Sequence, residues 1–134
     1  MRVRFILVAL VVGFAVLPSL APAAPLDGAT PMLCAVTSVA DCSRAGDCER
    51  DTPEGAEVPP FVRVNIAQKL LSTVDGARTS PIANVQRANG RIIIQGTQND
   101  RAWSAVIDER SGQMMASIGE KDGVIVLAAA CIAQ

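Results

Sequence analysis

Asp75-Gly76 and Asn89-Gly90 are the strongest local constraints in this sequence. An Asp-Gly or Asn-Gly pair enters positive φ at little cost and so closes a tight hairpin between two strands. The runs beside these pairs have the alternation that a half-buried strand requires. "FVRVNI" (61–66) puts Val62, Val64 and Ile66 on one face, with Arg63 and Asn65 on the other. "KLLST" (69–73) follows, then "SPIANVQRA" (80–88) and "RIIIQG" (91–96), the most β-prone segment. "NDR" turns the chain into "AWSAVID" (102–108), where Trp103, Ala105 and Ile107 share a face expected to point inward. "ERSG" leads into "QMMASI" (113–118), and "EKDG" into "VIVLAAAC" (124–131). Turns about every ten residues with strands between them predict an antiparallel meander.

Upstream, "MLCAVTSVA" (32–40) reads as one more strand, which brings the count to about eight. Eight antiparallel strands in simple order close into an up-and-down barrel, which removes exposed edges. An open meander and a two-sheet sandwich are the alternatives. Alanine-rich "LAAACIAQ" also fits a helix, but Val124-Ile125-Val126 entering it favours strand. Between residues 43 and 60, "SRAGDCERDTPEGAEVPP" is polar and rich in Gly and Pro, and reads as a long loop with little regular structure.

The cysteines fit that closure. Cys34 lies in the first strand and Cys131 in the last, which are neighbours in a closed meander. Cys42 and Cys48 flank a short polar turn. The expected bridges are Cys34–Cys131 and Cys42–Cys48, among the three connectivities that four cysteines allow.

Residues 1–23 read as a signal peptide. Arg2 and Arg4 precede an apolar run over residues 5–17, and Ala21-Pro22-Ala23 supplies the small-x-small cleavage pattern. The run falls short of the ~20 residues that span a bilayer, so no stable membrane insertion is expected after cleavage. Residues 24–31 read as a flexible leader and 32–134 as one β-barrel domain. Loss of Arg2 and Arg4 takes the formal net charge from −1 to −3. That balance argues against nucleic acid and against an anionic membrane surface. Phe61 and Trp103 are the aromatic residues outside the signal peptide, so the core is aliphatic and small, and cross-links are a usual remedy. Disulfides persist outside the cytosol, which places the mature chain in the periplasm or beyond it, as a monomer.

The chain has no histidine, so a Ser-His-Asp or Cys-His arrangement is impossible. The cysteines lack the C-x-x-C spacing of zinc or redox sites. Asp47, Glu49, Asp51, Glu54 and Glu57 offer oxygens for calcium but lack the EF-hand order, so a solvated loop is expected. Asp108 and Glu109 are adjacent and point apart, which suits a turn rather than an acid–base pair. No metal and no cofactor are expected. The candidate binding residues are Trp103, as a packed core residue or the floor of a ligand pocket, and Arg63, Asn65 and Gln95, which with Arg91 and Arg101 would share an outer face. The expected role is non-enzymatic: binding or structural. An interaction module or inhibitor for an envelope hydrolase and a carrier of a small apolar ligand are the alternatives.

The pattern "LCAVTSVADC", "PPFVRVNIAQK", "RTSPI", "AWS", "IDERSG" and a cysteine near the end resembles a group of short exported proteobacterial proteins of unassigned function. That resemblance implies export and a compact β domain. More loosely, the chain is similar to the periplasmic inhibitors of C-type lysozyme, small exported barrels with a C-terminal cysteine.

Overall fold

The chain reverses direction where its turn chemistry says it should. In the computed structural model, which describes residues 25–134, Asn89 and Gly90 take φ of 52° and 73°, and Asn99 and Asp100 take 49° and 62°. Two successive positive φ values give the hairpin turn whose twist matches its flanking strands. The signal-peptide expectation lies outside the described residues.

Nine strands result among the described residues: β1 (Met32–Ser43), β2 (Cys48–Asp51), β3 (Phe61–Asn65), β4 (Leu70–Thr73), β5 (Thr79–Ala88), β6 (Arg91–Gln98), β7 (Arg101–Asp108), β8 (Gln113–Gly119) and β9 (Gly123–Ala133). β1 and β3 to β9 pair antiparallel in chain order, and β9 returns to β1, so eight strands close a barrel as expected. Cys34 lies directly opposite Cys131 across the closing seam, and a disulfide joins them there. The second disulfide joins Cys42 to Cys48.

The ninth strand corrects the expectation of an irregular segment over residues 43–60. β1 runs on to Ser43, and β2 pairs back on it from Cys42↔Cys48 to Val39↔Asp51. The Cys42–Cys48 bridge fixes the first pair, and the following residues zip onto the free edge of β1. Residues 52–60 hold no strand, as expected, and are tied by local bonds. The Thr52 hydroxyl accepts from Gly55 N–H at 3.0 Å, Val58 N–H donates to the Pro53 carbonyl at 2.8 Å, and Val58 is buried.

Residues 25–31, expected to be a flexible leader, hold no strand and lie against the barrel. Leu26 is buried beneath the turn that carries Gly112. Gly28 packs on Ile66, and the Asp27 carbonyl accepts from Arg87. These residues cap the barrel end that holds both chain termini of the domain. Beside them the interior is filled by Met32, Cys34, Val64, Ile92 and Ile107, all fully buried. Each such aliphatic side chain contributes about 1.5–3 kcal/mol. Trp103, Ala105 and Ile107 face inward as their alternation predicts, and Ile92 and Ile94 point in while Ile93 points out.

The turn after β7 has an acid-sensitive anchor. Asp108 Oδ1 accepts from Ser111 N–H at 2.8 Å, from the Ser111 hydroxyl at 3.0 Å and from Arg110 N–H at 3.1 Å. These bonds, those of Ser111 foremost, hold the Asp108 carboxyl below the usual carboxylate range. Its native pKa therefore lies below its unfolded value. The stabilisation is present above about pH 4 and is lost as the pH falls through the native value. Asp108→Asn keeps an acceptor but removes the proton linkage. Urea midpoints of the variant should decline less steeply than those of the parent between about pH 5 and pH 2. Parallel declines would assign the acid sensitivity to other groups, such as Asp75, which is also lowered by its bond from Thr73.

Candidate functional site

Three strands cooperate to hold the single tryptophan against the barrel wall. Trp103 on β7 lies opposite Gly96 on β6. A Cβ on Gly96 would overlap both the indole and the Pro81 carbonyl. The missing side chain lets the ring lie flat across β6, the close approach that a glycine inside a strand marks. The ring then reaches β5, where Nε1 donates to the Ser80 hydroxyl at 2.9 Å. Ser80 is buried at 5% exposure, so this bond satisfies a polar group that would otherwise lose free energy.

An indole laid against the wall does not plug the barrel. The end opposite the leader keeps a cavity of about 180 Å³. Val64, Ile94, Ala105, Met114 and Leu127 form its floor and Trp103 one side. Ala56, Val58 and Pro59, from the loop after β2, form its roof. The interior is thus packed in the capped half and open in the other. β3 and β4 are short, so the wall is low on that side and the loop after β2 stands in for it.

The rim is polar. Arg101 is paired with Glu120, and Gln98 Nε2 donates to the Thr79 carbonyl at 3.1 Å. Arg78 is tied through its backbone, its N–H donating to the Thr73 hydroxyl at 3.1 Å, and its guanidinium has no ion pair among the described residues. Glu57 also borders the mouth, at φ 55°.

The other sequence candidates are not part of this site. Arg63 Nε donates to Gln134 Oε1 at 2.9 Å, and Asn65 Oδ1 accepts from Gln68 N–H at 3.0 Å to close the β3–β4 turn. Gln95 is exposed on β6, with β4 and β5 between it and those two. The outer-face cluster expected of them is not assembled, because barrel curvature separates outward residues on non-adjacent strands. Asp51 Oδ1 accepts from Thr52 N–H at 2.7 Å, and no group of three or more acidic or thiol side chains converges on a metal-sized site among the described residues. Glu109 is engaged by Arg87 at 2.9 Å. Sequence reasoning missed Ser80 and the roof residues. It also passed over Gly96, whose place inside a β-prone run was a signal of close approach.

The chain matches no protein-family model, no curated protein and no solved structure.

Proposed function

We propose that this protein is an exported, disulfide-closed β-barrel that binds a small apolar molecule, or the apolar end of a larger one, in its open mouth. The observation that carries this reading is the apolar cavity beside a tryptophan held to the wall by Gly96 and Ser80. Its volume of about 180 Å³ compares with the ~150 Å³ of an engineered apolar cavity that stays dry and takes up benzene. It falls below the ~300–1,000 Å³ of sites for drug-sized ligands. The ligand is thus a ring or a short branched chain, not a fully enclosed long acyl chain. Both disulfides suit an oxidising compartment, which supports the reading of residues 1–23 as an export signal. The role is binding rather than catalysis: the chain has no histidine, and Asp108, Glu109 and Glu120 are each committed to a turn or an ion pair.

Trp103 is the only tryptophan in the chain and reports on its own site. Titration of the mature protein with toluene, isobutylbenzene and hexanoic acid should give a saturable change in its emission. Ala116 borders the cavity, and Ala116→Phe should fill it and abolish the response while the far-ultraviolet circular dichroism is kept. A flat response from the folded parent protein would sink the ligand reading and leave the disulfide-tied β1–β2 hairpin, whose second strand is exposed throughout, as the element for partner contact.

A further inference from the structure

Three of the residues that line the cavity are charged, and all three sit at its rim: Arg78, Arg101 and Glu57. The floor is aliphatic, so a bound molecule keeps its apolar part inside and any polar group at the rim. Arg78 immediately precedes β5. Thr73 fixes its backbone: the Thr73 N–H donates to the Arg78 carbonyl at 2.9 Å, and the Arg78 N–H donates to the Thr73 hydroxyl at 3.1 Å. The Arg78 guanidinium makes no ion pair among the described residues. Asp75, the acid of the same turn, accepts instead from the Thr73 hydroxyl and from Ala77 N–H. Arg101 donates from Nη1 to Glu120, and its Nε and Nη2 donors have no partner among the described residues. The Asn99 amide borders the same opening, from the turn between β6 and β7. Glu120 offsets the charge of Arg101, and Glu57 that of Arg78, so the surplus at this rim is of hydrogen-bond donors rather than of charge.

We propose that the ligand of this cavity is a short monocarboxylate, its ring or branched tail inside and its carboxylate at the rim on Arg78 and Arg101. This rests on the apolar-pocket reading above and adds the head group to it. A guanidinium presents paired N–H donors that match the two oxygens of a carboxylate, and a carboxylate is acceptor only. An ammonium head brings donors alone, and finds two arginines and a single acid, Glu57, in the lining. A hydroxyl bonds to the rim without the charge assistance. Glu57 opposes any anion beside it, which disfavours a head of more than one charge. Arg78 is exposed and Arg101 partly so. The head-group contact therefore adds a few-fold to the affinity rather than orders of magnitude, and salt screens it.

Titration of the mature, disulfide-closed protein at low ionic strength tests this, with hexanoate, hexanol, hexylammonium and toluene as probes and Trp103 emission as the signal. Hexanoate is expected to bind at least about threefold more tightly than hexanol, and hexylammonium more weakly than either. Arg78→Gln should remove at least about half of the preference for hexanoate over hexanol, and Glu57→Gln should enlarge it. Arg110→Gln, which removes an exposed charge from the turn at the capped end, should leave the preference as it is. The ratio of hexanoate to hexanol affinity is read within each variant, so a general loosening of the fold does not imitate the effect, and circular dichroism confirms that each variant folds. A response to toluene without tighter binding of hexanoate than of hexanol, or a preference that survives Arg78→Gln intact, overturns the carboxylate assignment and leaves the apolar pocket standing. A folded protein silent to all four probes overturns both.

Discussion

Cys131→Ser is expected to lower the stability of the barrel by about 4–5 kcal/mol, because the bridge it removes closes a loop of 97 residues' separation. In the chain-entropy account, a cross-link stabilises by restricting the unfolded chain, and the effect grows with loop length. The native site adds to the loss. Cys34 and Cys131 are buried, and a serine hydroxyl there has no partner on an apolar seam. Cys42→Ser breaks a loop of 6 residues' separation at the edge of the sheet, and should cost about half as much. A domain of this size is stable by about 5–15 kcal/mol, so the first variant approaches global unfolding and the second does not. Guanidinium denaturation under non-reducing conditions gives both values. An equal or larger loss for Cys42→Ser would show that the β1–β9 seam holds without its staple.

The second large effect is expected at Trp103. Trp103→Ala should cost about 3–5 kcal/mol, since it removes the largest side chain of the core. It also orphans the buried Ser80 hydroxyl. Trp103→Phe keeps a ring over Gly96 but loses the Nε1–H donor, and should cost about 1–3 kcal/mol. Gly96→Val tests the same geometry from the opposite side. Its side chain must occupy the space of the indole or strike the Pro81 carbonyl, both of which belong to rigid strands. The ring is then driven off the wall into the cavity, with a shifted emission and a loss of about 1–3 kcal/mol. The shift and the loss should appear together. A neutral Gly96→Val would mean that the indole does not depend on the wall and that the cavity is not held open by it.

Much of the fold was legible because its signals are local. A turn such as Asn89-Gly90 needs only its own two residues to accept positive φ, and the alternation of Ile92 and Ile94 against Arg91 and Gln95 needs only its own strand. The cysteine pairing followed from chain order once a closed meander was assumed. β2 was missed because "CERD" has no apolar face and is exposed on every residue. Its strand conformation comes from the free edge of β1 and from the bridge to Cys42. Leu26 was missed because a single apolar residue between Pro25 and Asp27 has no period, and only the barrel end beside it supplies a place to bury it. The candidate site was half legible. Trp103 was found as the one large inward side chain, while Ser80, Gly96 and the roof of residues 56–59 come from elements far apart in sequence.

The sequence by itself determined the order of the strands, the turns between them and the inward face of β7, since each follows from backbone preference, side-chain period or chain order, and it favoured one cysteine pairing only once closure was assumed. Tertiary structure decided three things that no local pattern contains. It settled β9, apolar on both faces and so ambiguous between strand and helix, by hydrogen-bonding it between β1 and β8. It brought Gly96, Trp103 and Ser80 from three strands into one contact. And it left the mouth unfilled, because a cavity is the difference between the space a closed wall encloses and the side chains it directs inward, a quantity that exists only once the wall has closed.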